Sequence, residues 1–229
     1  MEEGHKITGS YDLLAVDDSK DPQKLSAGKI LCYVNYGMCE EDWDDFKKYR
    51  SILIGRNEDW EKEWWVDVTK VVWIKRIKDQ VLKAKNRGFQ GIWLDNGDIY
   101  WYVLEKLKDR SKASKIYLAM VDMCKWIRSQ GMFLILNGAD IFVSAMINYK
   151  NICIDGINQE TVFTKITSYK GDGEFTKQDP DEQKYYTNYC KKCKNAGLTV
   201  LLLEYGSEPA GLKSFKYADA YYVSKGLLL

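Results

Sequence analysis

Short runs that are apolar at nearly every position alternate along this chain with longer stretches in which apolar residues return every three or four places. Eight short runs read as strands: Tyr11 to Asp17 (YDLLAVD), Ile30 to Tyr36 (ILCYVNY), Trp65 to Val68, Gly91 to Asp95 (GIWLD), Phe133 to Asn137 (FLILN), Gly156 to Glu160 (GINQE), Thr199 to Glu204 (TVLLLE) and Ala220 to Val223 (AYYV). Continuous rather than alternating hydrophobicity is what a strand covered on both faces needs, and that is a property of parallel sheets. Among the longer stretches, Val72, Ile74, Ile77, Val81, Leu82 and Ala84 form a helical stripe that closes at Asn86-Arg87-Gly88, with glycine placed to end the helix. The same helix, glycine, strand punctuation returns at Gln130-Gly131 before FLILN and at Ala196-Gly197 before LTVLLLE. Repetition of one unit predicts an α/β fold built of β/α repeats.

Eight strands predict a single (β/α)8 TIM-type barrel over residues 1–229, close to the roughly 250 residues such barrels take. An open doubly wound sheet shares the local signals. It would carry a nucleotide signature, and neither G-x-G-x-x-G after the first strand nor G-x-x-x-x-G-K-[ST] anywhere occurs. Few residues join the first two strands and the chain stops at Leu229, so the first helix is expected to be short and the final helix to be absent. The stretch from Thr164 to Asp181 shows no pattern and reads equally as a lid over the rim or as a plain surface excursion.

Composition narrows the function. With 45% hydrophobic and 29% charged residues the chain resembles an average globular domain. Lys and Arg number 34 against 33 Asp and Glu, a net charge of +1, and the scattered basic residues predict no nucleic-acid partner. No apolar run approaches the roughly 18 residues of a membrane span, so no membrane partner is expected. The start, MEEGHKITGS, lacks the apolar centre of a signal peptide, so any such leader is expected to have been removed. Six cysteines at scattered spacings do not make a dense disulfide framework. Cys190-Lys-Lys-Cys193 is a lone CxxC in a chain with one histidine, His5; two half-buried thiols on a helix are favoured over zinc. No metal and no cofactor are expected, and serine or cysteine triads lose their base.

Chemistry gathers at the strand ends, where a β/α barrel keeps its active site. Those ends read Asp17 and Asp18, Asn35 and Tyr36, Asp67, Asp95 with Asn96 and Asp98, Asn137, Gln159 and Glu160, then Glu204 and Tyr205. Carboxylates in a partly apolar cup serve acid/base and nucleophilic chemistry on acetals, metal binding, or recognition of a cation. Asp95 and Glu160 each stand directly at the end of a strand, the fourth and the sixth, close enough across a barrel mouth for a retaining pair, and are the candidate pair, although any one acid at a strand end is as often a helix N-cap. Aromatic residues cluster at the same ends: Trp64, Trp65, Trp93, Trp101, Tyr33, Tyr36, Tyr100, Tyr102 and Tyr205. Sugars stack on such rings, and rings also fill cores; Tyr100 and Trp101 are read as cleft, Trp73 and Trp126 as core.

In order, GKILCYVNYGMCEEDWDDF (28–46), EWWVDV (63–68), GFQGIWLDNGDIY (88–100), GMFLILNG (131–138), DGINQETVF (155–163) and VLLLEYG (200–206) resemble the motifs of glycoside hydrolase family 114, in its bacterial branch. That family contains endo-α-1,4-polygalactosaminidases. The resemblance implies a retaining barrel hydrolase of α-linked galactosamine or a related polysaccharide, with Asp95 as nucleophile and Glu160 as acid/base. It further implies that Asp17, Tyr33, Asp67, Asp98, Asn137 and Glu204 line the sugar subsite; Tyr100 and Tyr205 join them as substrate-binding residues from the aromatic reading. A polysaccharide or oligosaccharide partner, a monomer, and an extracellular or cell-surface location go with it, a cytoplasmic one staying open. The competing readings are a catalytically silent carbohydrate-binding barrel and an acidic cation site. Aminoacylation is excluded, since neither His-x-Gly-His nor Lys-Met-Ser-Lys-Ser occurs.

Overall fold

The computed structural model describes residues 11–168, 174–205 and 221–222, and the chain divides between Ile154 and Asp155 into two compact units. The first opens with β1 (Tyr11–Val16) and β2 (Ala27–Asn35). A 3-10 turn at Pro22–Lys24, capped by the Asp21 side chain, is all that stands between them, as the short connection predicts. There follow β3 (Met38–Glu40), β4 (Leu53–Arg56), β5 (Glu63–Val66) and helix α1 (Val71–Arg87). Next come β6 (Gly91–Asp95), a short α2 (Ile99–Trp101) that passes into a π-helical turn, α3 (Arg110–Ser129), β7 (Phe133–Asn137) and α4 (Asp140–Asn148).

Strands β1, β2, β6 and β7 lie side by side in parallel. Leu31, Ile92, Leu94, Leu134, Ile135 and Leu136 have no exposed surface, which is why these strands are apolar throughout; each such side chain contributes about 1.5–3 kcal/mol by leaving water. Helix α1 buries Trp73, Ile77, Val81 and Ala84. Val72 and Leu82, placed in its buried stripe by the sequence, are exposed. The turn that ends it puts Gly88 at φ 96 with its N–H on Ala84 and Lys85 carbonyls, the αL cap expected of a glycine there.

The third expected strand is corrected. Trp65 belongs to β5, which pairs antiparallel with β3 (Met38↔Trp65) and β4 (Arg56↔Trp64) in a separate three-stranded sheet. The links explain why: a parallel neighbour needs a crossover of a dozen or more residues, and residues 57–62 leave room only for a hairpin. Stacking of Trp65 on Tyr102, centroids 4.9 Å apart, completes its burial.

The second unit holds β8 (Gly156–Glu160), β9 (Thr164–Ser168), β10 (Glu174–Lys177), α5 (Pro180–Asn195), β11 (Thr199–Leu203) and β12 (Tyr221–Tyr222). Strand β11 runs parallel to both β8, with Glu160 opposite Leu203, and β12. Among the described residues the parallel strands thus number seven, four in one unit and three in the other, and the eight-stranded ring read from the sequence is corrected to that. The patternless stretch after residue 164 is corrected as well: β9 and β10 form an antiparallel hairpin. Helix α5 starts as capping rules demand, with Asp179 accepting from the Asp181 N–H and Pro180 in its first turn. The region of the expected missing last helix lies outside the described residues.

Candidate active site

In the first unit the site is built around Asp95, the last residue of β6. The Tyr33 hydroxyl donates to Asp95 Oδ2 at 2.6 Å, Asn137 Nδ2 to Oδ1 at 2.9 Å, and the Asn96 backbone N–H to the same Oδ1 at 2.8 Å. The donors come from the ends of adjacent strands β2 and β7 and from the turn after β6, so the carboxylate has one orientation fixed by three pieces of backbone. Asn96 achieves this by adopting φ 59, a left-handed conformation that asparagine tolerates better than most residues. Its side chain then donates to Asn35 Oδ1 at 2.9 Å. Burial first, and then the charge and hydrogen bond of Asp95, push the Tyr33 phenol well above its usual range, so it remains a donor.

Around this carboxylate stand two acids that the strand-end argument passed over. Glu40 and Glu63 face each other directly across β3 and β5. Asn35 Nδ2 donates to Glu40 and Asn57 Nδ2 to Glu63, each at 3.1 Å. Burial, with the negative charges of Glu40 and Asp95, raises the Glu63 pKa against the pull of the Asn57 bond. Neither acid closes an apolar run, and β3 left no recognisable pattern, so only the acidic spacing after Tyr36 could have pointed here.

The other predicted lining residues of this unit are locally engaged. Asp98 Oδ1 accepts from the Ala139 N–H at 3.1 Å, tying the turn after β6 to the turn after Asn137. Asp67, 6% exposed, accepts from the Thr69 N–H and hydroxyl and faces Lys70 and Lys112, each at 3.5 Å. Burial opposes its ionisation, but Thr69 and the two lysines hold its pKa below the usual carboxylate range. Asp17 closes a turn by accepting from the Ser19 N–H at 2.8 Å; there too burial is outweighed, by the Ser19 bonds, and the pKa is lowered. Tyr100 packs its ring against Tyr117 and Phe142, centroids 5.8 and 6.1 Å away, a place in the helix layer that its position after β6 did not reveal.

In the second unit Glu160 ends β8, and the Tyr205 hydroxyl donates to its Oε2 at 2.7 Å. Glu204, 4% exposed, turns both oxygens onto the loop after Glu160: Oε1 accepts from the Val162 and Phe163 N–H groups, Oε2 from the Thr164 N–H and hydroxyl. Burial raises its pKa, and those four bonds oppose the rise. Both thiols of the CxxC are buried on α5, and burial pushes Cys190 up to about 12. Among the described residues no cluster of three or more His, Cys, Asp or Glu side chains is placed to hold a metal ion. No helix there is long and apolar enough to cross a membrane.

Parallel β/α units with strand-end carboxylates dressed by phenol and amide donors suit, as a class, enzymes that cut acetals between sugars. The chain belongs to glycoside hydrolase family GH114, whose model matches residues 4–226, and is a glycosidase. Its fold is similar to that of the glycoside hydrolase domain of PelA from Pseudomonas aeruginosa, with a TM-score of 0.65 at 13% identity over 86% of this chain and 84% of that one. It is also similar to Ega3 from Aspergillus fumigatus, crystallised in complex with galactosamine, with a TM-score of 0.60 at 18% identity over 92% of this chain and 87% of that one. No curated protein sequence matches it.

Proposed function

We propose that this glycosidase hydrolyses α-linked galactosamine-type polysaccharide with retention of configuration, Asp95 acting as nucleophile and Glu160 as acid/base. The observation that carries the reading is the fixed orientation of Asp95 by Tyr33, Asn137 and Asn96, the preorganisation an attacking carboxylate requires. In the first step an Asp95 oxygen bonds to the anomeric carbon as the glycosidic carbon–oxygen bond breaks, and the Glu160 proton goes to the departing oxygen. Water then attacks the same carbon and gives its proton to Glu160, and Asp95 is released. An amino sugar is favoured by the acids beside Asp95, Glu40 and Glu63, which attract a cationic ligand, and by the galactosamine complex of the similar Ega3. Action on such a polymer goes with an extracellular or cell-surface location.

Reducing ends released from deacetylated galactosaminogalactan measure the activity. Glu160→Gln is expected to lower turnover by about 10²–10⁴, the usual worth of a positioned acid/base. Asp95→Asn is expected to abolish turnover, and the first product seen by NMR to be the α anomer. Wild-type rates in Asp95→Asn, or a β anomer first, would refute the reading.

A further inference from the structure

Glu204 stands at a strand end, where an acid would ordinarily be assigned to sugar binding, yet it is 4% exposed and its oxygens accept four bonds from one short loop. Three successive backbone N–H groups, of Val162, Phe163 and Thr164, converge on a single carboxylate at 2.7, 3.0 and 2.8 Å. The loop needs that anchor because its first residue, Thr161, sits at φ 55, which costs a β-branched residue strain. Thr161 is pinned twice more: its N–H donates to the Leu203 carbonyl at 2.9 Å, and its own carbonyl accepts from Gln178 Nε2 at 2.8 Å. The Thr164 hydroxyl that donates to Glu204 also accepts from the Tyr205 N–H at 3.2 Å, and the Tyr205 hydroxyl returns to Glu160 at 2.7 Å. A closed circuit therefore runs from Glu160 through residues 161–164 to Glu204 and Tyr205 and back to the Glu160 carboxyl.

We infer that Glu204 is a positioning residue: its buried carboxylate folds the loop behind Glu160 and seats Tyr205, so that the phenol holds the acid/base carboxyl in place. The inference rests on the assignment of Glu160 above. Glu204→Gln keeps one acceptor oxygen and puts an NH2 in place of the other, so its N–H donors face either the Val162 and Phe163 N–H groups or the Thr164 N–H, and half of the anchor is lost at the same volume.

Two substrates separate positioning from mere stability: the amino-sugar polymer, whose leaving oxygen needs a proton, and a dinitrophenyl α-galactosaminide, whose leaving group does not. Glu160→Gln should lose most of its kcat/KM on the polymer and little on the aryl glycoside, whose kcat/KM reports the first step and not the water attack that also needs Glu160. Glu204→Gln should show the same split, with kcat/KM down roughly 10- to 100-fold on the polymer and within about threefold on the aryl glycoside. Tyr205→Phe should show it more weakly, and Glu204→Asp should recover part of the loss. Hydrogen exchange at the amides of 162–164 should quicken in Glu204→Gln. If that variant does not fold, Thr164→Val, which removes the hydroxyl and its two bonds but leaves the three backbone N–H bonds to Glu204, should give a smaller split of the same kind. Equal losses on both substrates in the Glu204 or Thr164 variants, beside the expected split in Glu160→Gln, would overturn the inference alone. Absence of the split in Glu160→Gln itself would overturn the acid/base assignment, and the inference with it.

Discussion

Asp67 and Glu204 are buried almost equally, 6% and 4% exposed, yet their surroundings move them in opposite directions. For Asp67 the Thr69 bonds and two lysines outweigh burial and lower the pKa; for Glu204 burial outweighs its four bonds and raises it. A lowered folded pKa adds stability above the unfolded value, about 3.9 for aspartate, and that stability is lost as pH falls through the folded value. A raised one does the reverse: the Glu204 contribution is full below the ordinary glutamate value, about 4.3, and declines as pH climbs through the folded value. Melting temperature followed from pH 2 to 8 should therefore lose part of its acid-side fall in Asp67→Asn and part of its decline above pH 4 in Glu204→Gln, and identical shifts in both variants would contradict the assignment. At Asp95 the equivalent test is Tyr33→Phe, which removes one hydrogen bond to a charged acceptor, worth about 1.5–3 kcal/mol. Polymer turnover should fall by about 10- to 100-fold in a protein that still folds and melts cooperatively at a temperature lowered by several degrees, and an unchanged turnover would show that the Tyr33 bond does not orient Asp95.

At the scale of elements, two glycines of the first unit separate fold from site. A Cβ at Gly37 would lie 2.0 Å from the Asn96 carbonyl oxygen, a backbone atom of the residue whose N–H donates to Asp95. A Cβ at Gly88 meets nothing within 4 Å, and its only penalty is φ 96. Gly88→Ala should cost roughly 1 kcal/mol of stability and no activity per folded molecule, whereas Gly37→Ala should cost about 1–3 kcal/mol and also lower kcat. Equal specific activities in the two variants, measured against folded protein, would show that the Gly37 contact does not reach Asp95. The same elements show what the sequence can and cannot convey. Strands β2, β6 and β7 were legible because burial on both faces demands unbroken apolar runs, and the ends of those strands then pointed to Asp95, Tyr33 and Asn137. β5 is misread because a four-residue run such as Trp65 to Val68 (WVDV) looks alike in a parallel and in an antiparallel sheet; only the hairpin-length link before it distinguishes them. β9 and β10 were hidden by exposed lysines and threonines, whose alternation is weak. Glu204 was legible as a strand-end acid, but the direction of its side chain depends on a loop whose conformation no local pattern encodes.

Across the whole molecule the six cysteines form a common probe, because all six are free and buried. Burial pushes Cys32, Cys39 and Cys190 up to about 12, so at pH 8 their reactive thiolate fraction is on the order of 10⁻⁴, and reagent must also wait for the chain to open. Native protein at pH 8 should therefore react very slowly with a thiol reagent at these three positions, while full denaturation without reductant should expose all six groups. Cys32, Cys39, Cys124 and Cys153 belong to the first unit, Cys190 and Cys193 to the second. Mapping which peptides are labelled first as denaturant rises thus reports the opening of each unit separately from one digest. If the two units unfold together, all six positions gain label along one curve; if either opens on its own, its cysteines label at lower denaturant. A titre below six in denatured, unreduced protein would contradict the free thiols. The pair to examine first would then be Cys124 and Cys153, whose thiols shift each other's pKa, Cys124 upward and Cys153 downward.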